Sequence, residues 1–206
     1  MTDLRFYFDG TNGTPVSGEV LLDVMISKEE KPKDIGQLKF RYSDSFFLHS
    51  ACSYDHELAI MSLGLTMSAF TYKNDGDEHA RKALHAIGCD DRTIESFRFD
   101  DQQSCADSCG YIIAAKKLPD DTFLIPVVIR SHCYGGEWVS NAHAVEEAYP
   151  DHAVGFKAAA DGVYDAVTDY LDRRGFDLGR VKLWLCGYSR GGAVTNLLGA
   201  RFTFES

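Results

Sequence analysis

The stretch Leu185–Gly192, LCGYSRGG, constrains this chain more than any other. The apolar run VKLWLC precedes it and the helix-period run GAVTNLLGARF follows it. A tight strand–turn–helix is therefore expected there, with Ser189 at the turn. Gly-x-Ser-x-Gly has only three fixed residues, but its flanks here add the physical requirement. A serine on such a turn sits in a strained backbone conformation, and strand and helix cross closely only if the residues two positions either side are tiny. Gly187 and Gly191 meet that requirement, and Gly192 and Ala193 extend it. Ser189 is then expected at the positive end of a helix, as a nucleophile, with the Arg190 amide free to bind an oxyanion. The Arg190 side chain itself reads as solvated.

The rest of the chain divides into three stretches of one expected domain over residues 1–206. The first, residues 1–50, mixes short apolar segments (LRFYF, VLLDVMI, LKFRY) with turn-rich and charged ones, and reads as short strands or a hairpin with loops. The second, residues 51–90, reads as helical. Ser53 or Asp55 can cap a first helix, with Glu57 in its first turn. Leu58, Met61, Leu65 and Ala69 make one apolar stripe, and Ile60, Leu63, Met67 and Phe70 make another, so this helix is expected to be buried on two sides. A second helix follows, with Ala80, Ala83, Leu84 and Ile87 on one face and Gly88 as its C-terminal cap.

Residues 91–206 read as a sheet core. IESFRF, GYIIAAKKL and TFLIPVVIR are strand-like, with Pro119-Asp-Asp turning between the last two. Leu124 to Ile129 is almost continuously apolar, as in a strand buried on both faces, although Pro126 removes one ladder donor. From Gly155 to Arg174 the apolar positions follow a helical period that Gly175 ends. Strand, helix, strand and helix in succession predict an α/β fold with a mostly parallel sheet in this half.

At 206 residues with 45% hydrophobic and 25% charged content, the composition is that of a globular domain. The net charge of −10 argues against an electrostatic grip on nucleic acid or anionic membrane. No apolar stretch is long enough to span a bilayer and no signal peptide is visible, so a cytoplasmic location is expected. Cys105 and Cys109 form no zinc-site pattern with a second pair, and the six cysteines read as free thiols. No metal or organic cofactor is expected.

A second constellation lies before the long helix. TFLIPVVIR runs into SHCYGGEWVSN, with Trp138 eight residues beyond Arg130, and HAVGF follows. Over roughly Gly110 to Phe202 these motifs, with the Ser189 turn, resemble the class 3 (fungal-type) lipase family of the α/β-hydrolase superfamily. There an Arg-Gly-Ser/Thr motif ends a strand, a Trp follows at this spacing, and a His-x-Gly-Phe motif lies further on. His152 to Phe156 approximates the last with one extra residue. YDHELAIMSLGLTMSAF is similar to a segment preceding this domain in bacterial proteins. The chain departs from the pattern in having Ser131 and His132 after the Arg, and Arg190 in place of a common leucine.

The resemblance implies hydrolysis of a carboxylic ester, an acylglycerol or short acyl group, by Ser189, with the backbone amides of His132 and Arg190 as oxyanion hole. It also implies a base and carboxylate partner downstream of Ser189, where this chain has only Glu205 and no histidine. The expectation is thus an α/β-hydrolase-like domain represented by its N-terminal two-thirds, incomplete at the C-terminus and inactive as this fragment on an unactivated acylglycerol, with residual activity at most on an activated aryl ester. His132, His143 and His152 are the upstream histidines that offer a substitute base. A non-catalytic lipase-like binding module, and a thioesterase or peptidase on the same fold, are the other readings.

Overall fold

The computed structural model describes residues 16–26, 34–70, 77–99, 108–130 and 154–204. The order is β1 (Ser17–Ile26), β2 (Asp34–Ser43), α1 (His56–Ser68), α2 (Glu78–Ala86), β3 (Glu95–Phe97), β4 (Tyr111–Ile113), β5 (Lys116–Lys117), β6 (Phe123–Ile129), α3 (Val154–Arg174), β7 (Val181–Gly187) and α4 (Arg190–Phe204). The fold is of the α/β class.

β1 and β2 form an antiparallel ribbon on their own. The remaining strands form the second sheet. β4 and β5 lie end to end along one edge of β6, β3 lies outside β4, and β7 lies on the other edge of β6. The break between β4 and β5 falls opposite Pro126. Ala114 N–H still donates to the Pro126 carbonyl, while Ala115 takes its bonds elsewhere, donating to Thr93 Oγ1 and accepting from Asp90 N–H. An interior strand thus tolerates a proline because its neighbour is interrupted there.

The expected mostly parallel sheet is not found. Among the described strands only β6 and β7 run parallel; β3, β4 and β5 pair antiparallel. The connections explain this. β5 and β6 are joined by a short turn through Asp120 and Asp121, which forces antiparallel pairing, whereas β6 and β7 are joined through the 21-residue α3.

Two apolar clusters sandwich the sheet. On one face Leu22 and Val24 of the ribbon, Met61 and Leu65 of α1 and Leu84 of α2 pack on Ile112, Leu124, Trp184 and Cys186. On the other, Ala159, Val163, Val167 and Tyr170 of α3 and Val194 and Leu198 of α4 pack on Ile113, Ile125, Val127 and Ile129. β6 feeds both clusters, as its continuous apolar run requires.

α1 begins at Asp55, whose carboxylate accepts from Leu58 N–H at 2.9 Å. Its expected burial on two sides is corrected. Met61, Leu65 and Ala69 are buried, but Ile60 is 38% and Leu63 50% exposed. Tyr42, Asp44 and Lys116 tie the ribbon to the sheet. Lys116 Nζ, fully buried, donates to Asp44 Oδ1 (2.5 Å) and to the Ile87 carbonyl (2.7 Å), and Tyr42 OH donates to the same carboxylate oxygen (2.8 Å).

Candidate active site at the strand–helix elbow

β7 ends at Gly187, α4 starts at Arg190, and Ser189 between them has φ of 55°. A side chain in this left-handed region costs about 1–2 kcal/mol, which the surroundings must impose. They do so through close packing. A Cβ at Gly187 would run into the Gly191 carbonyl oxygen and Thr195 Oγ1, with the Gly191 carbonyl carbon 2.5 Å away. A Cβ at Gly191 would lie 3.0 Å from the Ile129 carbonyl oxygen. The elbow is therefore wedged against the C-terminal end of β6 as well as against its own strand. Thr195 Oγ1 donates to the Gly191 carbonyl at 2.7 Å, bracing the first turn of α4, and Ala193 N–H donates to the Ser189 carbonyl. Ser189 itself is exposed. It stands at the N-terminus of a 15-residue helix, where the partial positive charge favours an anion.

The parallel register Ile129↔Gly187 brings the ends of β6 and β7 level. This is the position where open α/β sheets bind ligands. Arg130, the first residue past that register, is 2% exposed. Its N–H donates to the Gly110 carbonyl at 2.8 Å, and its guanidinium donates to the carbonyls of Arg98 and Phe99. His132, the expected second oxyanion donor, lies outside the described residues, as do Ser131, Trp138, His143 and His152.

Arg190 is corrected. It is 4% exposed rather than solvated: its guanidinium stacks over the Phe156 ring at 5.3 Å and donates to the Ser108 carbonyl at 3.3 Å. The side chain turns into the protein while its backbone amide stays at the elbow. Sequence reasoning missed Arg98 (φ 51°), the anchor for Arg130, and Thr195, the brace for Gly191. Thr195 was open to inference from its i+4 spacing to Gly191. Arg98 carried no such signal, because its role depends on Arg130, 32 positions away.

Two cavities lie along β7. One, of about 730 Å³, is lined by Lys182 and Trp184 with His49, Tyr54 and Leu58. The other, of about 370 Å³, is lined by Leu185 to Tyr188 with Leu63 of α1 and Asn196 of α4, beside the elbow. Burial pushes the Cys186 thiol up to about 12, so beneath β7 it is a neutral packing group and no rival nucleophile. Cys89 and Cys109 are also buried, and Cys52 is exposed.

No described side chain hydrogen-bonds Ser189 Oγ. The described histidines lie elsewhere: His56 with Tyr54, His79 with Asp23, His85 with Asp91, and His49 in the cavity beside Lys182 and Trp184. Among the described residues no cluster of metal-ligating side chains occurs, and no helix is long and apolar enough to cross a membrane.

Comparison with protein-family models, with curated proteins and with solved structures finds no match in any of the three. The functional reading therefore rests on the elbow.

Proposed function

We propose that this chain is a serine hydrolase of the lipase/esterase type on an α/β-hydrolase-like fold, cleaving carboxylic esters through an acyl-enzyme. A base takes the Ser189 hydroxyl proton as Oγ attacks the ester carbonyl carbon, the carbonyl electrons move onto oxygen, and the oxyanion is received by the backbone amides of Arg190 and His132. The alkoxide leaves with a proton delivered by the base, and water then releases the acid. One observation carries this reading: a strained, exposed serine, φ 55°, between a parallel strand and a helix N-terminus. Strain of that kind persists where the surroundings over-determine it, and it clusters at reacting groups.

A second reading is a lipase-like module that binds a lipid or partner without catalysis. It draws on the two cavities along β7 and on the Ser189 hydroxyl having no described hydrogen-bond partner. A fluorophosphonate probe separates the two. Covalent labelling of the folded protein, lost in Ser189→Ala, is the expected result; a folded protein that stays unlabelled supports the binding module. Ester, thioester and peptide substrates are then distinguished by rate, because fold does not fix substrate.

A further inference from the structure

We propose that Arg130 is the positioning residue of this site, fixing the exit of β6 against the Ser189 elbow; the proposal rests on Ser189 being the nucleophile. Arg130 is held from two sides. On one side it meets the strained turn before the 100s. Its guanidinium bridges the consecutive carbonyls of Arg98 (φ 51°) and Phe99, and its N–H donates to the Gly110 carbonyl. Gly110 leaves it the room: a Cβ there would lie 3.1 Å from Arg130 Cζ and 3.0 Å from the Arg98 carbonyl oxygen. On the other side the Arg130 carbonyl oxygen would lie 3.2 Å from a Cβ at Gly191, inside the elbow. Two glycines, Gly110 and Gly191, thus seat one arginine between a loop and the nucleophile turn.

The location gives this seat its consequence. The β6–β7 register ends at Ile129↔Gly187, so Arg130 is the first residue whose path the sheet no longer dictates. Its carbonyl packs against Gly191 in the turn that carries Ser189 and the Arg190 amide proposed for the oxyanion. Such a donor works only when preorganised to within a few tenths of an ångström, and a misplacement of about 1 Å can cost about 10²-fold. A guanidinium suits the task because its planar fork reaches two adjacent carbonyls with fixed geometry. An ammonium has the charge but no such fork.

The test compares wild type, Arg130→Lys and Arg130→Ala on an activated aryl ester and with the fluorophosphonate probe, well below each variant's Tm. The expected result is a fall in kcat of roughly 10–100-fold in both variants, with KM within about 3-fold and probe labelling slowed in parallel. Millimolar guanidinium ion should restore part of kcat to Arg130→Ala and none to wild type. Variants that turn over and label at the wild-type rate overturn the positioning role while leaving Ser189 as nucleophile. So does a loss confined to KM, and so does failure of both variants to fold, which would make Arg130 a folding residue. A folded wild type that neither turns over nor labels overturns the nucleophile reading, and this proposal with it.

Discussion

A serine at φ 55° and a glycine at the same angle differ in a way that exposes what the strain is for. Removing the Cβ relieves about 1–2 kcal/mol of left-handed strain, offset by the greater freedom glycine loses on folding. Ser189→Gly is therefore expected to raise stability by about 0.5–1 kcal/mol. It should abolish probe labelling at the same time. Thermal or urea unfolding of the two proteins checks this. A variant less stable than wild type would mean that the hydroxyl supports the fold, and the case for a functional strain would weaken. The elbow was legible because its cause is local: Gly187, Ser189 and Gly191 lie within five positions, and close crossing can be read from their size. The Arg190 side chain was not legible. It is buried by Phe156 and Ser108, 34 and 82 positions away, and nothing in LCGYSRGG records them.

At the scale of elements, the ribbon β1–β2 pairs with no other described strand, yet its apolar face joins the core of the sheet. The Lys116–Asp44 pair sits in that joint, with both side chains essentially out of water. Such a pair adds little over an apolar replacement, but breaking it leaves one charge stranded. Lys116→Met is thus expected to destabilise by about 3–5 kcal/mol, leaving Asp44 with only Tyr42 OH and Val16 N–H as donors. Lys116→Met combined with Asp44→Leu should cost clearly less than the sum of the two single changes. Additive losses in unfolding free energy would refute coupling between them. Neither partner was legible in the sequence, because a lysine in KKL and an aspartate in YSDSF look like surface residues. Element existence and type were legible wherever periodicity was strong: α1, α2, α3, β6, β7 and α4 all stand where the patterns placed them. Sheet direction was misjudged because it follows from connections, and only β6–β7 has a helix-length one. The second stripe of α1 was misjudged for a related reason. Leu63 faces the cavity beside β7 and Ile60 is exposed, and a sequence pattern cannot say whether an apolar face is covered.

For the whole molecule, the proposed hydrolysis asks for a base that reaches the elbow. The elbow sits at the C-terminal ends of β6 and β7, so the base must reach that end. His49 lines the cavity at Lys182, and Lys182 lies five residues back along β7, roughly 17 Å from Gly187 at about 3.3 Å per residue. His56, His79 and His85 are taken up by Tyr54, Asp23 and Asp91, away from the elbow. Alanine at any of these four should leave hydrolysis of an activated aryl ester within about 2-fold of wild type, since none is placed to take the Ser189 proton. Ser189→Ala should remove the specific turnover. His132, His143 and His152 are then compared singly. A base in this chain would show itself as a fall on the order of 10⁴–10⁶ in kcat for one of them, whereas a histidine that only supports a loop would shift KM or stability instead. Loss of turnover in a folded His49, His56, His79 or His85 variant would contradict the placement of the site at the elbow. If turnover needs Ser189 and none of the seven histidines, the proton acceptor is a group other than imidazole, and the oxyanion site supplies most of whatever rate remains.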